Sequence, residues 1–400
     1  MPPDTQVGVS PNWIFEAVNL EGRILSRAPG TIKTFDLNSF FGLSSTAQLS
    51  DPKIRFDAVS QRWFIAAITY NTSFTSGAWL LAVSGTEDPT GAFARYSIST
   101  SKSAPDFPAL AVNSDKVVLT ANAFRANSFL GTEFVILSKA NLLAGGTVAG
   151  SYFGPPQGLF TIQPAHALSN CASGTSCPLY MAAVAFNSAS AIRVWSLQGV
   201  PGTGSGVSVS SVSIAIAALA SPPDAKQKGT SVLIQTNDNR LLEASFRNGV
   251  LWVAANSACV PAVDTATRAC LRLIKLSTVG GISKQQDFDF GQPGAYYYYP
   301  AVHTDGSGKL IAAFSGSSAS DYAGVYVSGQ RATDPVNTFQ LPTLVKPEGD
   351  AYTPFANRWG DYSGVAIDPS NASVVWIVGK YARIEGGSEW GTFITSVQMQ

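Results

Sequence analysis

The chain has 400 residues, 45% hydrophobic and only 13% charged against roughly 25% charged in an average globular protein, and its 36 Gly and 23 Pro mark it as β-rich and turn-rich. Lys plus Arg equals Asp plus Glu at 26 each, so no overall positive field gathers nucleic acid or an anionic membrane. The longest apolar run, residues 214–220, falls far short of the roughly 20 residues that cross a bilayer as a helix.

Taken in chain order, the elements repeat. Residues 5–10 and 13–18 read as two short apolar strands around a turn. The unit returns as PKIRFD at 52–57 followed by 63–70, as PALAVN at 108–113 followed by 117–124, and as PAHALS at 164–169 followed by 179–186. A weaker copy, 243–248 with 250–255, precedes PAVHTD at 300–305 with 310–315 and SGVAID at 363–368 with 374–378. Third strands are expected near 78–84, 132–138, 192–197, 271–276, 324–328 and 392–397. The turn residues Ser10, Asp57, Asn113, Ser169, Asn248, Asp305 and Asp368 recur at intervals of 47 to 79 residues, the length of a four-stranded propeller blade.

The expected fold is therefore an all-β, seven-bladed β-propeller of four-stranded antiparallel blades in one domain, 1–400. Blades start near 4, 51, 106, 162, 239, 299 and 361, and inner strands fall at 5–9, 52–56, 108–112, 164–168, 242–246, 300–304 and 363–367. Residues 199–230, rich in Gly, Ser and Ala, are expected as a surface insertion made of an elaborated outer strand and a loop. The seventh blade shows only three strands before Gln400, so ring closure is the open point. Two stacked β-sandwich domains are the competing architecture.

Four cysteines form two close pairs, Cys171 with Cys177 and Cys259 with Cys270, each around a loop between strands. This pattern predicts two disulfides and an oxidising, extracellular compartment. A signal peptide is not expected within the chain, because Met1 is followed by Pro2, Pro3 and Asp4. Gly306-Ser307-Gly308-Lys309 joins two strands and is not a phosphate loop; no nucleotide or redox cofactor motif appears.

Residues just before the inner strands look into the channel mouth. They are Asp4, Asp51, Asp106, Gln163, Tyr298 with Tyr299, and Asp361; Arg358 and Trp359 stand on the lead into blade seven. Carboxylates beside aromatic rings suit sugar hydroxyls and sugar faces. Asp51, Asp106 and Asp361 are the catalytic candidates; Asp4, Gln163, Tyr298, Tyr299, Arg358 and Trp359 are the ligand-binding candidates. The competing reading makes each Asp a cap that ties blade to blade, and half the tyrosines inter-blade packing. His166 and His303 fall inside inner strands, where ordinary channel packing is the expectation.

Pro2-Pro3-Asp4-Thr5 with Pro11-Asn12, the stretch from Asp51-Pro52 through Asp57 to Arg62-Trp63, Asp106-Phe107-Pro108, Tyr299-Pro300, and Arg358-Trp359-Gly360-Asp361-Tyr362-Ser363 resemble secreted bacterial propellers of the sialidase-like, neuraminidase-type superfamily. The resemblance spans nearly the whole chain and implies fold and export more than activity. The S-x-D-x-G-x-T-W boxes of sialidases are missing, and no arginine triad is recognised. Three functions compete: an extracellular monomer that recognises a glycan or surface polymer, a glycoside hydrolase or polysaccharide lyase using paired carboxylates, and a structural or adhesive protein. No cofactor is expected, except that in the last reading the acidic arc holds Ca²⁺ or nothing.

Overall fold

The computed structural model describes residues 2–27, 32–100, 102–154, 159–168, 177–204, 206–347, 349–354, 357–384 and 389–400. Seven antiparallel sheets follow one another along the chain as the blades of a propeller. Blade I comprises Gln6–Val9, Trp13–Val18, Glu21–Ser26 and Ile32–Asp36; blade II comprises Gln48–Asp57, Arg62–Tyr70, Gly77–Ser84 and Phe93–Ser99. Blade III runs through Ala104–Val112, Lys116–Arg125, Ser128–Ser138 and Gly150–Phe153, and blade IV through Phe160–Pro164, Leu179–Val184, Ser188–Gly199 and Val207–Ala220. Blade V holds Leu241–Arg247, Val250–Cys259, Arg268–Ser277 and Ser283–Phe290. Blade VI holds Ala295–Thr304, Leu310–Ser318, Gly324–Gln330 and Thr343–Lys346; blade VII holds Gly364–Ile367, Val375–Ala382 and Trp390–Val397.

Each sheet is apolar on both faces because each is covered by its neighbours. One buried cluster joins Phe64, Trp79 and Leu81 of blade II to Leu110, Leu119 and Val135 of blade III, and equivalent clusters fill the gaps between the other blades. This explains the near-continuous apolar runs where one-sided sheets would alternate. The anchor residues at the inner-strand ends are local caps: the side chains of Asn113, Asp305 and Asp368 accept backbone N–H groups two to four residues ahead.

The ring closes without a shared strand. Among the described residues blade VII stays three-stranded, and its inner strand packs beside that of blade I. A glycine permits this approach: a Cβ at Gly364 would lie 3.1 Å from the Val7 nitrogen. Polar ties finish the seam. Arg27 grips Asp368 with two N–H groups, Thr5 Oγ1 donates to the Tyr362 carbonyl at 3.3 Å, and the Asp361 N–H donates to Asp4 Oδ1 at 2.7 Å.

One expectation changes. The strand predicted at 164–168 is divided: Phe160–Pro164 belongs to blade IV, whereas His166–Ala167 pairs in parallel with Leu241–Arg247 of blade V. Pro164 cannot donate to a ladder, and the chain leaves blade IV there. Segment 199–230 contains the 14-residue outer strand Val207–Ala220; the following connection, 221–240, folds on itself through Ala225↔Ile234 and pairs with the lead into blade VII through Gln235↔Arg358.

Cys259 and Cys270 are joined across 11 residues. Cys177 is also disulfide-bonded; its expected partner, Cys171, lies outside the described residues. In the chain-entropy account a loop this short gains about 2–3 kcal/mol from closure. Reduction of the protein should therefore lower its melting temperature while leaving the far-ultraviolet β spectrum intact, a result checked by calorimetry with and without reductant.

Candidate functional site

Every blade carries one left-handed residue inside or shortly before its inner strand: Asp4, Asp51, Phe107, Thr161, Asn237, Tyr299 and Gly360, with φ between 50° and 148°. In blades II, III, IV and VI the strand register shifts beside it, the mark of a β-bulge. Three of these residues precede proline, Asp51-Pro52, Phe107-Pro108 and Tyr299-Pro300, where a missing N–H costs nothing because the ladder is already interrupted. Side-chain amides of one blade tie down the bulge of the next. Asn19 Oδ1 accepts the Asp51 N–H at 2.9 Å, Asn122 Oδ1 that of Thr161 at 2.8 Å, and Asn256 Oδ1 that of Tyr299 at 2.7 Å. A non-glycine residue at positive φ is strained, and such strain gathers at functional sites.

The bulges bring four carboxylates from four blades into one electrostatic group: Asp4, Asp51, Asp106 and Asp361. Asp4, Asp51 and Asp361 are only 2%, 8% and 8% exposed. Asp4 Oδ2 accepts from Asn19 at 2.6 Å, Asp51 Oδ2 accepts from the Tyr362 hydroxyl at 3.1 Å, and Asp361 is shared between Asn237, at 2.8 Å, and Arg358. Burial, then repulsion from Asp106 and Asp361, pushes the Asp51 carboxyl up to about 7. Burial likewise raises Asp4 and Asp106, in the latter against the pull of Arg240.

The cations of the site are Lys53, Arg240 and Arg358. Lys53 lies 2.9 Å from the centroid of the Tyr362 ring, and burial pulls its ammonium down to about 7 against the attraction of Asp51 and Glu243. Arg240 is held by Asp238 through bonds of 2.8 and 2.6 Å and sits against the rings of Phe107 and Phe160. Arg358 is the outermost, its side chain 45% exposed.

The structure brings Asp4, Asp51, Asp106, Asp361 and Arg358 together as the sequence placed them. The expected aromatic wall is not open to solvent. Tyr298, Tyr299 and Trp359 are 0–2% exposed and pack with Tyr352 and Tyr362 in one cluster, because connection 221–240 and the lead into blade VII lie over them. Tyr299 donates to the Gln235 carbonyl, Trp359 to Ser315 Oγ, and Lys380 to the Trp359 carbonyl. Gln163 lies buried in blade IV with its Nε2 unpartnered, and no hydrogen bond joins it to the four carboxylates. Sequence reasoning missed Asn19, Lys53, Asn237, Arg240 and Tyr362. The polar run Gln235-Thr236-Asn237-Asp238-Asn239-Arg240, inside a long connection, was the available signal.

Among the described residues no three His, Cys, Asp or Glu side chains are grouped to hold a metal ion, and no helix is long and apolar enough to cross a membrane. No family model matches the sequence, and a search of curated proteins gives no match. Among solved structures, the chain is similar to the GH93 α-L-arabinofuranosidase of Fusarium graminearum in complex with arabinobiose, at 9% identity and a TM-score of 0.46, covering 99% of this chain and 95% of that one. It is similar to the Hadza microbial sialidase Hz136 at 10% identity and a TM-score of 0.45, covering 98% and 74%. A protein of unknown function from Dyadobacter fermentans matches at 10% identity and a TM-score of 0.42, covering 100% and 94%.

Proposed function

We propose that the acidic mouth acts on a glycan as a glycoside hydrolase, with Asp51 as the proton-carrying carboxyl and Asp361, paired with Arg358, as its ionised partner. One observation carries this reading: carboxylates from four separate blades converge at or beside left-handed residues, with Asp361 paired to Arg358 and Asp51 under the attraction of Lys53. Like charges gathered in a buried site cannot all ionise freely, so one keeps a proton near neutrality, which is what a general acid needs. Asn19, Asn237 and the carboxylates offer the mixed donors and acceptors that sugar hydroxyls require. The disulfide supports an extracellular setting, where polysaccharides are met.

A second reading, glycan recognition without cleavage, is favoured by the Asp4–Asp361 contact, which serves blade closure rather than chemistry. The two separate in a panel of polysaccharides incubated with the intact protein and assayed for new reducing ends, run beside a glycan array. Hydrolysis by the wild type, lost in Asp51→Asn with binding retained, supports the enzyme. Binding without new reducing ends in any member of the panel supports recognition.

A further inference from the structure

At the opposite ends of the inner strands the channel holds a cavity of ≈ 110 Å³, lined by Arg55, Asp57, His166, Arg247 and His303 together with apolar residues of blades I, II and VII. Its electrostatics invert those of the acidic mouth. Arg55 is matched by Glu243 at 2.8 Å, and Asp57 by Lys139 at 2.7 Å. Arg247 has no ion-pair partner among the described residues, and its buried Nε has no hydrogen-bond partner. The Arg55 Nε, His166 Nδ1 and both ring nitrogens of His303 are also buried without partners, and the two imidazoles stack 6.0 Å apart. Both histidines are more than nine-tenths buried.

The unmatched N–H groups of Arg55, Arg247 and His303 in one cavity need an acceptor. A buried donor left unmade costs about 1–3 kcal/mol, and an uncompensated buried cation more. We propose that this cavity is a binding site for a small tetrahedral oxyanion, phosphate or sulfate, held by Arg247 and Arg55 with the ring N–H of His303 completing the shell. Guanidinium groups match oxyanions in shape and charge, and they would repel a metal cation approaching the imidazoles. Burial and the nearby Arg55 hold both imidazoles well below their usual range; neutral His303 has one N–H to give, whereas His166 spends its own on the Val112 backbone carbonyl. The cavity lies at the other end of the strands from the carboxylates.

The test is titration calorimetry of the intact protein with inorganic phosphate at fixed ionic strength, with sodium acetate and sodium chloride as parallel arms. One phosphate site is expected, weakened at least about tenfold in Arg247→Gln and several-fold in His303→Phe. Sulfate should compete with phosphate. Phosphate heats no larger than those of chloride, or equal affinity in wild type and both variants, would overturn the site; tighter binding of acetate would overturn the tetrahedral class. Should Arg247→Gln fail to fold, His303→Phe and ³¹P line broadening on the wild type decide the same question.

Discussion

Replacing Arg272 with Met should destabilise the protein by about 3–5 kcal/mol, among the largest effects of any single substitution here, because it strands two carboxylates. Arg272 is 2% exposed in the third strand of blade V. Its guanidinium meets Asp287 at 2.8 Å and Asp289 at 2.8 and 3.0 Å, and it donates to the Ala218 carbonyl at 2.7 Å. Asp287 in turn accepts the Ala217 N–H at 2.6 Å. One cation thus stitches the outer strand of blade IV to blade V. The partners differ. Burial raises both carboxyls; for Asp287 the Ala217 N–H and Arg272 outweigh it and the net shift is downward, whereas Asp289 stays raised.

The pH dependence follows. Asp287 has a folded value below its ordinary 3.8, so its contribution is present above that value and is lost as the pH falls through the folded one. Urea unfolding of the wild type should therefore show an acid-labile component that Arg272→Met largely lacks. A triple variant, Arg272→Met with Asp287→Asn and Asp289→Leu, should recover much of the loss, since the cost lies in unpaired charge more than in a missing bond. Recovery that fails would mean that packing against blade IV, and not charge, dominates.

The blades were legible because strand, turn and strand recur as a unit, and a chain that repeats a unit too small to bury itself must stack the copies. The mouth was legible by position: Asp51, Asp106 and Asp361 lie within three residues of the inner-strand starts, on the same end of the ring. The fate of the tyrosines was not legible. Alternation in Tyr296-Tyr297-Tyr298-Tyr299 reports two faces of one strand, whereas the burial of Tyr298 and Tyr299 comes from a segment some 60 residues away, through Gln235. Lys53 and Tyr362 follow candidate acids by one or two residues, yet their contact joins blades II and VII, a pairing no local pattern encodes. The X-Pro steps at 51–52, 107–108 and 299–300 did carry the bulges, read in the sequence as strand starts.

Substituting Asp51 by Asn should reduce glycan hydrolysis by about 10²–10⁴-fold while leaving binding within a few-fold, the usual cost of removing a general acid. The wild-type rate should fall as the pH rises through about 7, where the Asp51 carboxyl gives up its proton, and the variant's residual rate should lack that limb. Stability should move the other way. Between 3.8 and about 7 the folded protein keeps a proton that the unfolded chain releases, so the Asp51 contribution is full below 3.8 and disappears as the pH rises through 7. Lys53 acts oppositely: its folded value near 7 lies below 10.5, so its contribution recovers as the pH climbs from 7 toward 10.5. The wild type is then least favoured by this pair near neutrality, and Asp51→Asn, which keeps the shape and an acceptor for Tyr362, should melt no lower than wild type at pH 7. A catalytic carboxylate sits in its site at the expense of stability. A structural tie does not. If Asp51→Asn melts several degrees lower at pH 7 and hydrolyses or binds as wild type does, Asp51 is a blade tie and the acid role is refuted.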